Sequence, residues 1–244
     1  MTAQKEAHAT GNRLLACLPA EEFDLLGPHL ERVKLSHGDP LIKPGEPIRR
    51  VHFPVTCLGS LVAVMQDGST AEAGSVGREG MVGVPVVLAD GVTTMETVVQ
   101  IPGESYAAPP QVVKELFDRG GDFQKLLYKY FHTLFIVASQ TAACNRLHRI
   151  EARLCRWLMM SSDGIASDDL RLTQEYLATM LGVRRAGVSE TVGRVEEAGL
   201  VRHNRGRIEI LDRAGLERCA CECYHIVRDE YERLLGRPGE APRL

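Results

Sequence analysis

Hydrophobic positions fall into successive patterns along the chain. From residue 12 to 35 they recur at helical spacing: Leu14, Leu15 and Leu18, then Phe23, Leu25, Leu26 and Leu30. Pro19 marks a helix restart, because proline's missing N–H is not needed in a first helical turn. Residues 33–108 change to short β-like runs at 41–42, 50–53, 60–65 and 97–101, broken by turn residues at 36–39, 43–46, 67–68 and 101–104. Closely spaced short strands of this kind predict a small antiparallel barrel, roll or sandwich. Asp67-Gly68 predicts a hairpin. Helical spacing returns over 111–160. Phe123, Leu127, Tyr130, Leu134, Val137, Thr141 and Cys144 alternate steps of four and three, a heptad-like stripe. Leu126, Phe131, Phe135, Ala138 and Ala142 widen the apolar face. One stripe can pack on the β domain while the other meets a second copy. The first, Phe123 to Thr141, is assigned to a dimer interface; an ordinary buried core helix is the alternative. The polar residues 145–149 predict a hinge, and Ile150, Leu154, Trp157 and Leu158 the next helix. Residues 163–169 read as a loop.

The most informative pattern lies beyond. Thr173 can cap a helix whose apolar face is Tyr176, Leu177, Met180 and Leu181. Gly182 can end it in a left-handed conformation. A second helix over 184–198 turns Val188, Val192 and Val195 inward, and Gly199 stops it. Leu200-Val201 and residues 207–211 then predict two short strands around 203–206. The order helix, tight turn, helix, β-hairpin is that of a winged helix-turn-helix. Such a unit lays its second helix in a DNA major groove, N-terminal residues on the base edges. Arg184 and Arg185 stand there, and arginine can make a bidentate contact with guanine. Ser189 and Glu190 lie one turn on; Arg194, Arg202, Arg205 and Arg207 suit phosphates. A helical hairpin with a solvated arginine face is the alternative.

Bulk properties alter this little. The net charge of −3 announces no nucleic-acid partner, yet residues 182–207 hold six Arg against three Glu, a local basic patch. Hydrophobic residues are 44% and charged residues 25%, ordinary for a globular protein. No run approaches the roughly 18–20 apolar residues that span a bilayer. The N-terminal residues lack an apolar signal core, so no membrane partner and a cytoplasmic location are expected. Seven cysteines, an odd count, predict reduced thiols rather than a disulfide framework. No Ser/His/Asp, paired-carboxylate or metal constellation is assembled by spacing, so an enzyme is not predicted.

Three stretches carry a family likeness: LTQEYLATMLGV (172–183), GLVRHNRGRIEILDRAGLE (199–217) and VGREGMVG (76–83). From about residue 12 to 235 the chain resembles the Crp/Fnr family of transcription regulators. The resemblance implies an α+β fold: an N-terminal antiparallel β-roll of the cyclic-nucleotide-binding type (1–120), a long dimerisation helix with a hinge (121–147), and a C-terminal winged helix-turn-helix (148–244). It implies a homodimer on a two-fold symmetric duplex site, with RNA polymerase as a partner if the protein activates. The DNA-binding residues are then Thr173, Arg184, Arg185, Ser189, Glu190, Arg194, Arg205 and Arg207. Well-known relatives carry an Arg, then Glu or Ser, then a second Arg on the next turn. Here only the first is kept, as Arg185, followed by Ala186, Ser189 and Glu190, so no relative's operator is carried over.

The same resemblance locates an effector pocket at Gly77, Arg78, Glu79, Gly80, Met81, Val82 and Gly83, with Glu96 and Thr97. Successive amides of such a glycine-rich loop can cradle a phosphate. Nucleotide-binding relatives supply a Glu for the ribose and an Arg for the cyclic phosphate. Met81 falls at the first position and Met95 or Glu96 at the second, so cyclic AMP is not expected and tight turns without a ligand are; a switch that responds to a cyclic nucleotide, through a register shift that brings in Glu79, or to another small effector is the alternative. Cys17 and Cys57 are too few for a cluster of four cysteine ligands. His37, His52, Cys57 and His132 form no haem constellation. No cofactor is assigned. The run Cys219, Cys221, Cys223 and His225 would aim three thiolates one way on a strand, as zinc requires. On a helix, Cys221 points away from Cys219 and Cys223. The helical pattern favours small cysteines packing a helix, with thiol redox chemistry as the alternative and no metal site assigned.

Overall fold

In the computed structural model of the protein, residues 6–7 and 9–236 are described, without the side chains of Gln174, Glu175 and Arg185. Helices α1 (Arg13–Ala16) and α2 (Ala20–Leu26) bury Leu14, Leu15, Phe23 and Leu26. Asn12 caps α1, its Oδ1 accepting from Leu15 N at 3.0 Å. The helical pattern ends earlier than expected: a 3-10 turn at Gly27–His29 leads into strand β1 (Glu31–Leu35).

The β-roll has two antiparallel sheets. Strands β1, β3 (Val51–Pro54) and β7 (Gly103–Ala108) form one in the order β1-β7-β3. The other is β2-β6-β4-β5, with β2 (Pro40–Ile42), β4 (Leu58–Val64), β5 (Thr70–Val76) and β6 (Glu96–Ile101). Asp67-Gly68 does turn the β4–β5 hairpin; Gly68 has φ 82° and Ser69 N donates to Asp67 Oδ1. Helix α3 (Pro85–Leu88) follows β5.

Helix α4 (Pro110–Asp118) leads through Gly120 and Gly121, both at positive φ, into the 26-residue helix α5 (Asp122–Leu147). Its first N–H groups are capped by a carboxylate from elsewhere. Glu22 on α2 accepts from Asp122 N at 3.0 Å and Phe123 N at 2.7 Å, which also suits the positive end of the helix dipole. The assignment of the first stripe to a dimer interface needs correction. Phe123, Leu127, Tyr130, Val137 and Thr141 are buried in the chain's own core and Leu134 is packed against it. The second set is divided: Leu126 is buried and Phe131 packs against the same core, while Phe135, 69% exposed, and the exposed Ala138 and Ala142 form the open face. Periodicity identified both faces but not which of them the β-roll would take.

Past His148, whose extended backbone breaks the helix, come α6 (Ile150–Ile165), β8 (Asp169–Leu170), α7 (Gln174–Leu181), α8 (Arg185–Glu197), β9 (Val201–Asn204), β10 (Arg207–Ile210) and α9 (Arg213–Cys219). They surround a second core that includes Leu154, Leu158, Leu177, Val188, Val192, Ile208 and Leu216. Strand β8 makes the wing three-stranded, in the order β8-β10-β9, where the sequence suggested a loop. Helix α10 (Cys223–Leu235) leaves this domain and packs along α5. Its Val227, Tyr231 and Leu235 join the β-roll core. Arg13 Nη2 donates to Gly236 O at 2.6 Å and Cys17 Sγ to Leu235 O at 3.4 Å. Among the described residues, no helix is long and apolar enough to cross a membrane.

Candidate nucleic-acid interface and its junction with the β-roll

Each boundary of the helix-turn-helix has a local cause. Thr173 caps α7, its Oγ1 accepting from Tyr176 N at 3.2 Å. Gly182 ends α7 at φ 62°, ψ 37°, the left-handed conformation that costs glycine little. Arg184 is the extended residue before α8, and Gly199, at φ 73°, follows its end. Val188, Val192 and Val195 are buried and fix the roll of α8 on its axis. That orientation leaves Arg184, Ala186, Ser189, Glu190 and Arg194 on the open face. The expected contact from Arg185 falls on a side chain outside the described residues.

Several expected contacts are engaged within the protein. Glu190 pairs with Arg194 at 2.9 Å, and Arg194 also reaches Glu151 on α6 at 3.6 Å. On the wing, Arg202 pairs with Glu209 at 3.0 Å and Arg207 with Asp169. Arg184 and Arg205 are exposed and have no carboxylate partner among the described residues. Exposed ion pairs are worth about 0–1 kcal/mol, so a phosphate can take over Arg194 or Arg207 at little cost.

The glycine-rich loop is closed by packing. A Cβ on Gly80 would lie 2.3 Å from Tyr130 Oη, and one on Gly77 would lie 2.4 Å from Gly164 Cα. Tyr130 Oη donates to Met81 O at 2.9 Å; Met81, Val82 and Thr97 are buried. Gly83 packs on Val51, and Glu96 is half-buried at the start of β6. The amides have protein partners: Gly77 N donates to Glu79 Oε1 (2.7 Å), Arg78 N to Gly164 O (2.7 Å), Gly80 N to Gly77 O (3.1 Å) and Val82 N to His52 O (2.8 Å). Those four N–H groups are already used, leaving none of them to a phosphate. Sequence spacing could not show this, because the groups that close the loop come from α5 and α6.

The contact with Gly164 is part of a wider junction. Glu72 on β5 is buried between the two domains. It takes Ser60 Oγ at 2.6 Å and accepts from Trp157 Nε1 at 3.2 Å. Burial pushes its carboxyl up to about 7, against the opposing pull of Ser60, Trp157 and Arg156. Beside it Ser60 Oγ meets Met180 Sδ at 3.6 Å, and His37 meets Tyr176 edge-on at 4.9 Å. Helix α7 is thereby docked on the β-roll. Between the loop, α6 and α10 lies a cleft of about 380 Å³ whose lining includes Arg13, Arg78, Glu79, Asp163, Arg213 and Arg228. Burial raises Glu79. Arg78 Nε is buried without a partner among the described residues.

Residues 152–219 match the Crp-like helix-turn-helix domain family. Among curated proteins, none is significantly similar in sequence. The fold resembles solved structures along most of its length. FixK2 of Bradyrhizobium japonicum superposes with a TM-score of 0.65 at 13% identity, covering 79% of this chain and 98% of that one. A CRP/FNR-family transcriptional regulator of Thermus thermophilus gives 0.60 at 21% identity, over 78% and 98%. The c-di-GMP-responsive global regulator CLP of Xanthomonas campestris gives 0.60 at 16% identity, over 79% and 99%.

Proposed function

We propose that this chain, which carries a Crp-like helix-turn-helix domain and has the fold of Crp/Fnr-type regulators, is a transcription regulator that reads duplex DNA as a homodimer. The observation that carries the reading is the open face of α8. A buried valine row holds the helix, and Arg184, Ser189 and Glu190 project from its N-terminal half beside the wing's Arg205. That is the arrangement needed for base contacts from the helix and phosphate contacts from the wing. The protein's bound duplexes are first selected from a random pool. Arg184→Ala is then expected to lose about 1–3 kcal/mol of discrimination at one base pair. Arg205→Ala is expected to weaken all sequences alike and to lower the salt slope by about 1. Unchanged specificity in the Arg184 variant would overturn this placement of the helix.

Dimerisation is assigned to the open stripe of α5. Phe135 and Leu147 are 69% and 74% exposed, and Ala138 and Ala142 allow close helix approach between them. Phe135→Glu should convert the dimer to monomer in light scattering. It should also weaken operator binding at least tenfold, because one subunit then engages one half-site. An unchanged dimer would place the interface elsewhere.

The packed loop supports a sensor that does not take cyclic AMP at 77–83. A second reading, in which a small effector acts, is favoured by the arginine-lined cleft between loop and α6. A ligand there would touch both domains and so could favour one of their relative orientations.

A further inference from the structure

We propose that Cys144, His148, Cys221 and Cys223 form a tetrahedral zinc site that fastens the end of the long helix to the segment after the wing. The four residues come from distant parts of the chain. Cys144 lies in the last turn of α5 and His148 at its C-terminal cap. Cys221 lies between α9 and α10, and Cys223 opens α10. Continuous helix through 219–225 would turn Cys221 away from Cys223. The chain does not continue as helix: Ala220 is extended, at φ −66° and ψ 151°. This break is what brings Cys221 and Cys223 to one point, and it leaves Cys219 apart, near Glu151.

The distances suit the ion. All four ligand atoms lie within 4.8 Å of one another. Cys144 Sγ is 3.5 Å from Cys221 Sγ, and Cys223 Sγ is 3.6 Å from His148 Nδ1. Zinc bonds of about 2.3 Å to sulfur and about 2.0–2.1 Å to nitrogen set tetrahedral edges of about 3.8 Å and about 3.6 Å. Little movement is needed to admit the ion. The surroundings suit it as well. All three cysteines are buried. His148 Nε2 lies 3.2 Å from Glu222 Oε1, so a carboxylate orients the ring and aims Nδ1 at the thiols, as metal-bound histidines require. Three thiolates, one neutral imidazole and a divalent ion sum to one negative charge. Arg156 is buried, donates to Thr141 Oγ1 at 3.0 Å one turn before Cys144 and has its Nε without a partner among the described residues; its charge and that of Arg153 act on the cluster and supply compensation. Soft sulfur ligands in a closed four-ligand set select zinc over the oxygen-seeking cations, and leave no open position for catalysis.

The site assignment is independent of the DNA-binding reading; only its consequence, a hinge held in one orientation, rests on that reading. The test therefore uses no DNA. Protein purified under reducing conditions should contain about one zinc per chain by elemental mass spectrometry. Cys221→Ser and His148→Ala should each lower that content, and Cys219→Ser should keep it. Exchange of the unaltered protein into cobalt should give the intense visible bands of a tetrahedral thiolate site, a readout that needs no variant to fold. Absence of both zinc and the cobalt spectrum overturns the proposal. So does full zinc retention by Cys221→Ser, or recovery of a Cys144–Cys221 disulfide from metal-free native protein, which would make the pair a redox couple.

Discussion

Replacing Gly77 by alanine is expected to lower stability by about 2–6 kcal/mol and to pull α6 off the glycine-rich loop. The new methyl group would meet the backbone of Gly164 at 2.4–2.7 Å. Backbone cannot rotate away as a side chain can, so the two segments must separate. Overpacking costs about 1–3 kcal/mol. The separation also breaks the bond from Arg78 N to Gly164 O, and an unpaired buried donor costs a further 1–3 kcal/mol, roughly. Gly164→Ala is the informative contrast. Its methyl group would meet Leu58 Cδ1 at 2.8 Å, the end of a flexible side chain, so the expected loss is about 1 kcal/mol. Chemical denaturation gives both values, and limited proteolysis near residues 147–149 detects the separation. Equal stability of the two variants would mean that the loop and α6 are not in contact in solution.

Glu72→Gln should remove a pH dependence of about 3 kcal/mol from the junction. The carboxyl is held near 7 in the docked structure against an ordinary 4.5, and each pKa unit is worth about 1.4 kcal/mol. The sign follows from proton counting. Between 4.5 and 7 the unfolded or undocked state has lost a proton that the docked state keeps. Stability from this group is therefore complete below about 4.5, falls as pH rises toward 7 and is level above. Glutamine is neutral throughout and can accept from Trp157 and donate to Ser60. The variant should match the parent near pH 4.5 and exceed it at pH 8. Parallel stability curves from pH 4.5 to 8 would show that Glu72 is ionised in the docked form.

How far the fold was legible depended on where each feature's cause lies. The helix-turn-helix was legible almost to the residue because its punctuation is local: a threonine cap at 173, a left-handed glycine at 182, a glycine stop at 199. Strand β7 was not, and β5 was legible only through the Asp67-Gly68 turn before it, since TAEAGSV and GESYAA have few of the branched and aromatic residues that favour strands. They exist because β4 on one side and β1 and β3 on the other supply partners. The stripe on α5 shows a different limit. Two apolar faces on one helix are equally periodic, and only the tertiary structure says which meets the β-roll. The cysteine cluster depends on one extended residue, Ala220, that no helical pattern announces. The spacing of Tyr224, Val227, Tyr231 and Leu235 marks an apolar face on α10, but nothing in it says that α5 is what that face packs on.

Helix α10 gives the molecule an order of assembly. Val227, Tyr231 and Leu235 fill the core of the N-terminal domain, and the contact of Cys17 with Leu235 spans 218 residues. A chain emerging from the ribosome can build the β-roll sheets early. It cannot seal that domain until the winged helix has been synthesised and α10 has come back. Long-range closure of this kind is slow and leaves apolar surface uncovered in the meantime. A chain interrupted within the winged helix would keep that surface exposed, and so would be open to chaperones and proteases.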